Sequence, residues 1–124
     1  MNFLSLRQVL LVAEVILDKV EIRDLGLLES AVARPKTNLY GTYVYPDVYE
    51  QGAAFVDSIV NNHALIDGNK RLGLACLINF LGRNDLKLTC TQDDAFEFII
   101  LIASSSERDI KTLAKWIKAN TSTY

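Results

Sequence analysis

The sequence predicts an all-α domain of about six helices that carries one small β-hairpin flap. Apolar residues recur at three- and four-residue spacing along most of the chain, the signature of helices with a buried face. Short polar residues suited to capping (Ser5, Asp24, Thr91, Ser106) stand just ahead of those stripes, and Pro46-Asp47 opens a further helix. The helical pattern breaks for any length only over residues 36–46, where Tyr40, Tyr43 and Tyr45 surround Gly41 and Thr42. At 124 residues the chain is expected to form a single domain, residues 1–124, large enough for one core.

The elements follow in order. Ser5 and Gln8 have capping-box spacing and open a first helix over residues 6–17, with apolar residues on two faces. Asp24 can cap a second helix with the stripe Leu25, Leu28, Val32; Pro35 marks its end, because proline cannot continue the hydrogen-bond ladder. The flap comes next. A third helix, residues 47–61, buries Val48, Phe55, Val56, Ile59 and Val60. The fourth, residues 69–83, is apolar on nearly every side and is therefore expected at the centre of the domain. Asn84-Asp85 is a turn and residues 86–90 a short extended piece. Thr91 with Asp94, and Ser106 with Asp109, are two further capping boxes, opening helices over 92–104 and 107–119. Trp116 is expected in the core, and of Phe96 and Phe98, two apart on one helix, one must face outward.

Composition excludes several functions. Half of the residues are hydrophobic and 23% are charged, the balance of a folded globular chain. A net charge of −2 leaves no basic footprint for nucleic acid. Arg7, Glu14 and Asp18 interrupt the N-terminal apolar run, so neither a signal peptide nor a membrane span is expected. Cys76 and Cys90 have no metal-ligand spacing and read as buried free thiols of a reducing, cytoplasmic setting.

The chemistry is concentrated in residues 63–71: His63, Ala64, Leu65, Ile66, Asp67, Gly68, Asn69, Lys70, Arg71. Singly these are ordinary, since a histidine at a helix end usually caps or packs, Asp-Gly usually turns, and Lys-Arg usually faces solvent. Together, at the mouth of a buried helix, they fit a phosphate site. Gly68 lets the backbone turn tightly, and the Gly68 and Asn69 amides at the helix start can form an anion nest. Lys70 and Arg71 oppose the helix dipole there, which an anion would offset. Asp67 suits Mg²⁺, which takes one or two carboxylates together with phosphate oxygens. The His63 imidazole can accept a proton from an attacking hydroxyl at neutral pH.

This run resembles the Fic/Doc superfamily signature, H-x-F-x-D/E/N-A/G-N-G/K-R. Upstream, Arg23-Asp24-Leu25-Gly26-Leu27-Leu28-Glu29-Ser30-Ala31, Ala33-Arg34-Pro35 and Tyr45-Pro46-Asp47 are similar to the Doc ("death on curing") branch, and the match covers roughly residues 1–118. Leu65 stands where the family usually has Phe as the loop's apolar anchor, and Ala64 where many relatives have Pro. AMP-transferring members have Gly at the place of Lys70 and commonly a second arginine at that of Leu74, so both residues point to Doc-type toxins. The resemblance implies an all-α Fic core with a β-hairpin flap. It further implies a protein kinase that moves the γ-phosphoryl of ATP, with Mg²⁺, to a Ser/Thr hydroxyl of elongation factor Tu and arrests translation. In that reading His63 is the general base, Asp67 holds Mg²⁺, and Gly68, Asn69, Lys70 and Arg71 bind phosphate, Lys70 and Arg71 also stabilising transferred charge. The flap residues Leu39, Tyr40, Gly41, Thr42 and Tyr43 would dock the target by strand addition. A Phd-type antitoxin would restrain the chain, which carries no inhibitory Ser/Thr-x-x-x-Glu-Gly/Asn motif of its own; Ser104 and Glu107 have the wrong spacing. The alternatives are nucleotidyl transfer and a catalytically inactive antitoxin-binding module.

Overall fold

The computed structural model describes residues 2–104 and 108–124. Among them the chain forms α1 (Leu6–Ile16), α2 (Leu25–Ala33), a 3₁₀ turn (Arg34–Lys36), β1 (Asn38–Leu39), β2 (Thr42–Tyr43) and α3 (Val48–Asn61). It continues with α4 (Asn69–Arg83), β3 (Leu86–Leu88), α5 (Gln92–Ala103), α6 (Ile110–Ala119) and β4 (Thr121–Thr123). The fold is all-α with a small hairpin, as expected.

The start signals operate as read. Ser5 and Gln8 close both halves of a capping box. Asp24, Asp47 and Thr91 each accept from the amide three residues on. Pro35 does not stop α2 abruptly; the chain tightens into the 3₁₀ turn, with Pro35 buried. In the flap, Asn38 pairs with Tyr43 and Leu39 with Thr42, across a turn in which Tyr40 and Gly41 both have positive φ (52° and 83°). That is the two-residue turn whose twist matches a hairpin.

Two expectations about packing are corrected. The innermost helix is α3: every residue from Gln51 to Val60 is buried. Small Gly52, Ala53, Ala54 and Ser58 let neighbours close in on all sides, and at Gly73 a Cβ would lie 2.6 Å from Val60 Cγ2, so the Val60 side chain of α3 packs directly on the α4 backbone. By contrast α4 has an open side, with Leu74 and Ala75 half-buried and Ile78 exposed. One apolar cluster joins α1 and α2 to this central pair, and a second joins α5, α6 and β3 to it.

Other departures are local. β4 pairs antiparallel with β3, Leu86 opposite Thr123, forming a second sheet that the pattern of the last residues had not suggested. The last helix begins at Ile110, with Arg108 and Asp109 outside it; Ser106 and Glu107 lie outside the described residues. Trp116 is half-buried, its ring 3.9 Å from that of buried Phe98, while Phe96 faces outward. Both cysteines are free, but only Cys76 is buried, and burial pushes its thiol pKa up to about 12. Cys90 is only partly covered.

A buried carboxylate ties these elements together. Asp57, on α3, is 2% exposed and accepts from Arg34 Nη1 (2.7 Å), Arg108 Nε (2.9 Å), Arg108 Nη2 (3.2 Å) and Asn61 Nδ2 (3.0 Å). Arg34 also reaches Ser58 Oγ and the Tyr45 hydroxyl, so the base of the flap hangs on the same group. Burial alone would push the Asp57 carboxyl up, but the hydrogen bonds from Arg108, Arg34 and Asn61 together outweigh it and hold the pKa below the ordinary carboxylate value.

A depressed folded-state pKa stabilises above the unfolded value and is lost as the pH falls through the folded one. Asp57→Asn is therefore expected to cost about 3 kcal/mol at pH 7, near the low end for a broken buried pair because both arginines are partly exposed. Below about pH 4 the wild type approaches the variant, which lacks this share of the acid slope. Urea unfolding of both proteins between pH 7 and 3 measures the difference.

Candidate active site

Between the last turn of α3 and the first of α4, residues 62–68 form a loop in which Ala64 and Leu65 are buried while Ile66 faces outward. Leu65 thus fills the anchoring role expected of it. Asn69 locks the loop from the other side: its Nδ2 donates to the Leu65 carbonyl (2.9 Å) and its Oδ1 accepts from the Leu65 amide (3.0 Å). A carboxamide carries both a donor and an acceptor, which is why it can close this ring and an aspartate cannot. The side chain of Asn69 is thereby committed to structure, leaving its amide for a ligand.

Gly68 precedes α4 with φ +94°, and a Cβ there would lie 2.8 and 2.9 Å from the Leu17 methyls. Leu17, at the end of α1, therefore sets the close approach that only glycine permits. As N-cap, Gly68 provides no side-chain hydrogen bond to the first turn. With glycine in place of a polar cap the helix loses only a few tenths of a kcal/mol, but its first amides stay open. Lys70 and Arg71 in that turn add up to about 1 kcal/mol each, through their opposition to the helix dipole. Unbonded amides and two cations at this helix start are the features that suit an anion.

The site side chains converge on one cleft of about 530 Å³, lined by His63, Asp67, Gly68, Asn69, Lys70 and Arg71. Its opposite wall is apolar, made by Ile66 with Phe96, Ile100 and Ala103 of α5. Those α5 residues recur at i, i+4 and i+7, a second stripe on a helix whose other stripe enters the core, and that doubled pattern is a legible signal. Asp67 Oδ1 accepts from the Gly68 amide (2.8 Å), so that amide, expected in the anion nest, is already engaged and the open amides begin at Asn69. Arg71 Nη2 donates to the Ile16 carbonyl at the end of α1 (2.7 Å), and the remaining guanidinium donors are still available to the cleft. The donor set fits Mg²⁺ carried in with a phosphate group, since one carboxylate sits at the anion site. Among the described residues no group of three His, Cys, Asp or Glu could hold a metal alone. The flap residues Leu39 to Tyr43 do not line the cleft; they are exposed, and Tyr43 packs edge-on against Phe3.

His63 has φ +54°, a conformation that destabilises an L-residue by roughly 1–2 kcal/mol. Residues 21–24 brace it. Arg23 Nε donates to the His63 carbonyl (2.8 Å), the Arg23 and Asp24 amides donate to the Ala64 carbonyl, and the Ile66 amide donates to the Glu21 carbonyl. Ile22 and Leu65 form an isolated antiparallel bridge. This brace was not foreseen, although Arg23 and Asp24 stand in the sequence next to the second helix.

A second surface runs into the cleft. Leu11, Val15 and Ile16 of α1 face Ala75 and Ile78 of α4 across an open apolar groove. The groove continues past Leu74 to Phe96, beside Lys70 and Arg71.

These features together define a small helical domain with a loop-to-helix junction that gathers open amides, two cations and one histidine. Residues 3–81 match the model of the Fic/DOC family, and the chain belongs to that family. Within it the chain falls in the Doc toxin branch. It is 37% identical over 97 residues, 77% of this chain and 75% of the relative, to Toxin Doc of Mycolicibacterium smegmatis.

Asn69→Ala should destabilise the fold by about 1–3 kcal/mol, the worth of two hydrogen bonds, and Asn69→Asp by a similar amount because one bond becomes a repulsion. Chemical denaturation of the two variants beside the wild type checks this.

Proposed function

We propose that the chain is the toxin of a toxin–antitoxin system, a protein kinase that transfers the γ-phosphoryl group of ATP to a Ser/Thr hydroxyl of a translation factor. The observation that carries this reading is the uncapped start of α4, where His63, Asp67, Lys70 and Arg71 share one cleft. By family resemblance the acceptor is elongation factor Tu, and phosphorylation would arrest translation in the cytoplasm.

Each residue has a role. His63 takes the proton of the acceptor hydroxyl as its oxygen bonds to the γ-phosphorus; the bond to the bridging oxygen breaks and ADP leaves. The Asn69 amide and its successors, with Lys70 and Arg71, hold phosphate oxygens and spread the charge that builds up in transfer. Asp67 would hold Mg²⁺, which supplies further neutralisation of the phosphates. Lys70, at the place where AMP-transferring relatives have glycine, adds a cation beside the transferred group and favours phosphoryl over nucleotidyl transfer. The flap, with its short open-edged strands, would pair with an extended segment of the target.

An antitoxin of the Phd type is the partner that suits the apolar groove between α1 and α4. An amphipathic segment laid there would end beside Lys70 and Arg71, close enough to close off the cleft. Among the described residues no helix is long and apolar enough to cross a membrane.

With γ-labelled ATP and Mg²⁺ in a bacterial lysate, one protein band should acquire label, and mass analysis should show the increment of one phosphoryl group. His63→Ala should lower the labelling rate at least about a hundredfold, the range of a lost general base. An AMP increment would replace the kinase reading with nucleotidyl transfer. Growth arrest that survives unchanged in the His63→Ala variant would leave a binding module.

A further inference from the structure

The imidazole of His63 makes no hydrogen bond of its own among the described residues, so no such bond fixes it, and the backbone that carries it sets the direction of its Cα–Cβ bond. That backbone is unusual, with φ +54° at a residue that is not glycine. It sits between the C-cap of α3 and a loop whose later part is fixed by Leu65 and Asn69. The His63–Ala64 peptide is the joint between the two. If it rotates, the Cα–Cβ bond of His63 swings relative to Asp67 and Lys70.

Several hydrogen bonds act near this joint. Those from the Arg23 and Asp24 amides to the Ala64 carbonyl, and from the Ile66 amide to the Glu21 carbonyl, are made by the main chain and hold the loop beyond the joint. The His63 carbonyl itself is held by the Arg23 guanidinium, Nε to O 2.8 Å. Arg23 lies forty residues away in sequence and is exposed, with no acidic partner among the described residues, so its guanidinium is not engaged elsewhere in an ion pair. Asp24, the next residue, caps α2 through the Leu27 amide and so fixes where Arg23 begins. Asn62 Nδ2 donates to the Leu27 carbonyl and ties the end of α3 to that same helix. The guanidinium therefore reaches the joint from a fixed platform.

With His63 read as the base, we propose that Arg23 is a positioning residue, which holds the His63 peptide so that the imidazole faces the acceptor hydroxyl beside Asp67 and Lys70. Arg23 does not touch the reacting atoms. Its removal leaves the anion nest intact, so the effect falls on turnover rather than on nucleotide binding.

Two variants and one spectroscopic probe test this. Arg23→Ala is expected to lower kcat roughly tenfold to a hundredfold, the effect of a slightly misplaced reacting group, while KM for ATP changes less than about twofold. Arg23→Lys retains a donor that can reach the carbonyl and should recover much of that loss. The chain has one histidine, so its ring proton resonances report on His63 alone. In Arg23→Ala these resonances should show a more mobile ring, and in Arg23→Lys a ring close to the wild type. Unchanged kcat and ring mobility in Arg23→Ala, with His63→Ala inactive, would overturn the positioning role. So would equal losses of kcat and melting temperature in both Arg23 variants, which would make the contact structural only. If His63→Ala keeps full labelling, the base reading fails instead, and the ring mobility still decides whether Arg23 orients His63.

Discussion

A carboxylate that is almost fully removed from water must be surrounded by donors, and Asp57 recruits its donors from much of the chain. Arg34 comes from the turn after α2, Arg108 from the approach to α6, and Asn61 from one turn further along α3, where its amide also reaches the Ile102 carbonyl of α5. Pairing raises the penalty for misplacing any of them, because an unpaired buried charge is far worse than none. The base of the flap, the two cores and the wall of the cleft are thereby set by one group. Asn61 itself lines the cleft, so the network ends where the chemistry is proposed.

The junction between α3 and α4 shows a division of labour between side chain and main chain. Asn69 and Leu65 use side chains and burial to fix the loop, and Gly68 uses the absence of a side chain to press against Leu17. The donors left for a ligand are main-chain amides. Lys70 and Arg71 supply the charge but are not needed to shape the loop, apart from the contact of Arg71 with the Ile16 carbonyl. That separation lets the charged residues differ within a common backbone.

Much of this was legible in the order of residues. The capping residues of α1, α2, α3 and α5 marked their helices, and the run from His63 to Arg71 marked the cleft, because caps and turns depend on neighbours a few positions away. What escaped depends on distant partners. Asp57 and Ser58 look like solvent-facing positions of α3, and it takes Arg34 and Arg108, far off in sequence, to make their burial tolerable; Gln51 is held instead by the Tyr45 carbonyl. The apolar outer side of α4 looks like core, yet no element among the described residues covers Ile78. The pairing of Leu86 with Thr123, and the grip of Arg23 on His63, are likewise contacts across long stretches of chain that local pattern does not encode.

The groove between α1 and α4 has a thermodynamic consequence. Val15 is 84% exposed and Ile78 50%, so the folded chain keeps apolar surface in water that a seated partner would remove. Any molecule that occupies the groove and ignores the unfolded chain adds RT ln(1 + [L]/Kd) to the free energy of unfolding. With the groove so occupied, the durability of the chain would become a function of the concentration of the occupant, and the solitary chain would be the more perishable of the two forms.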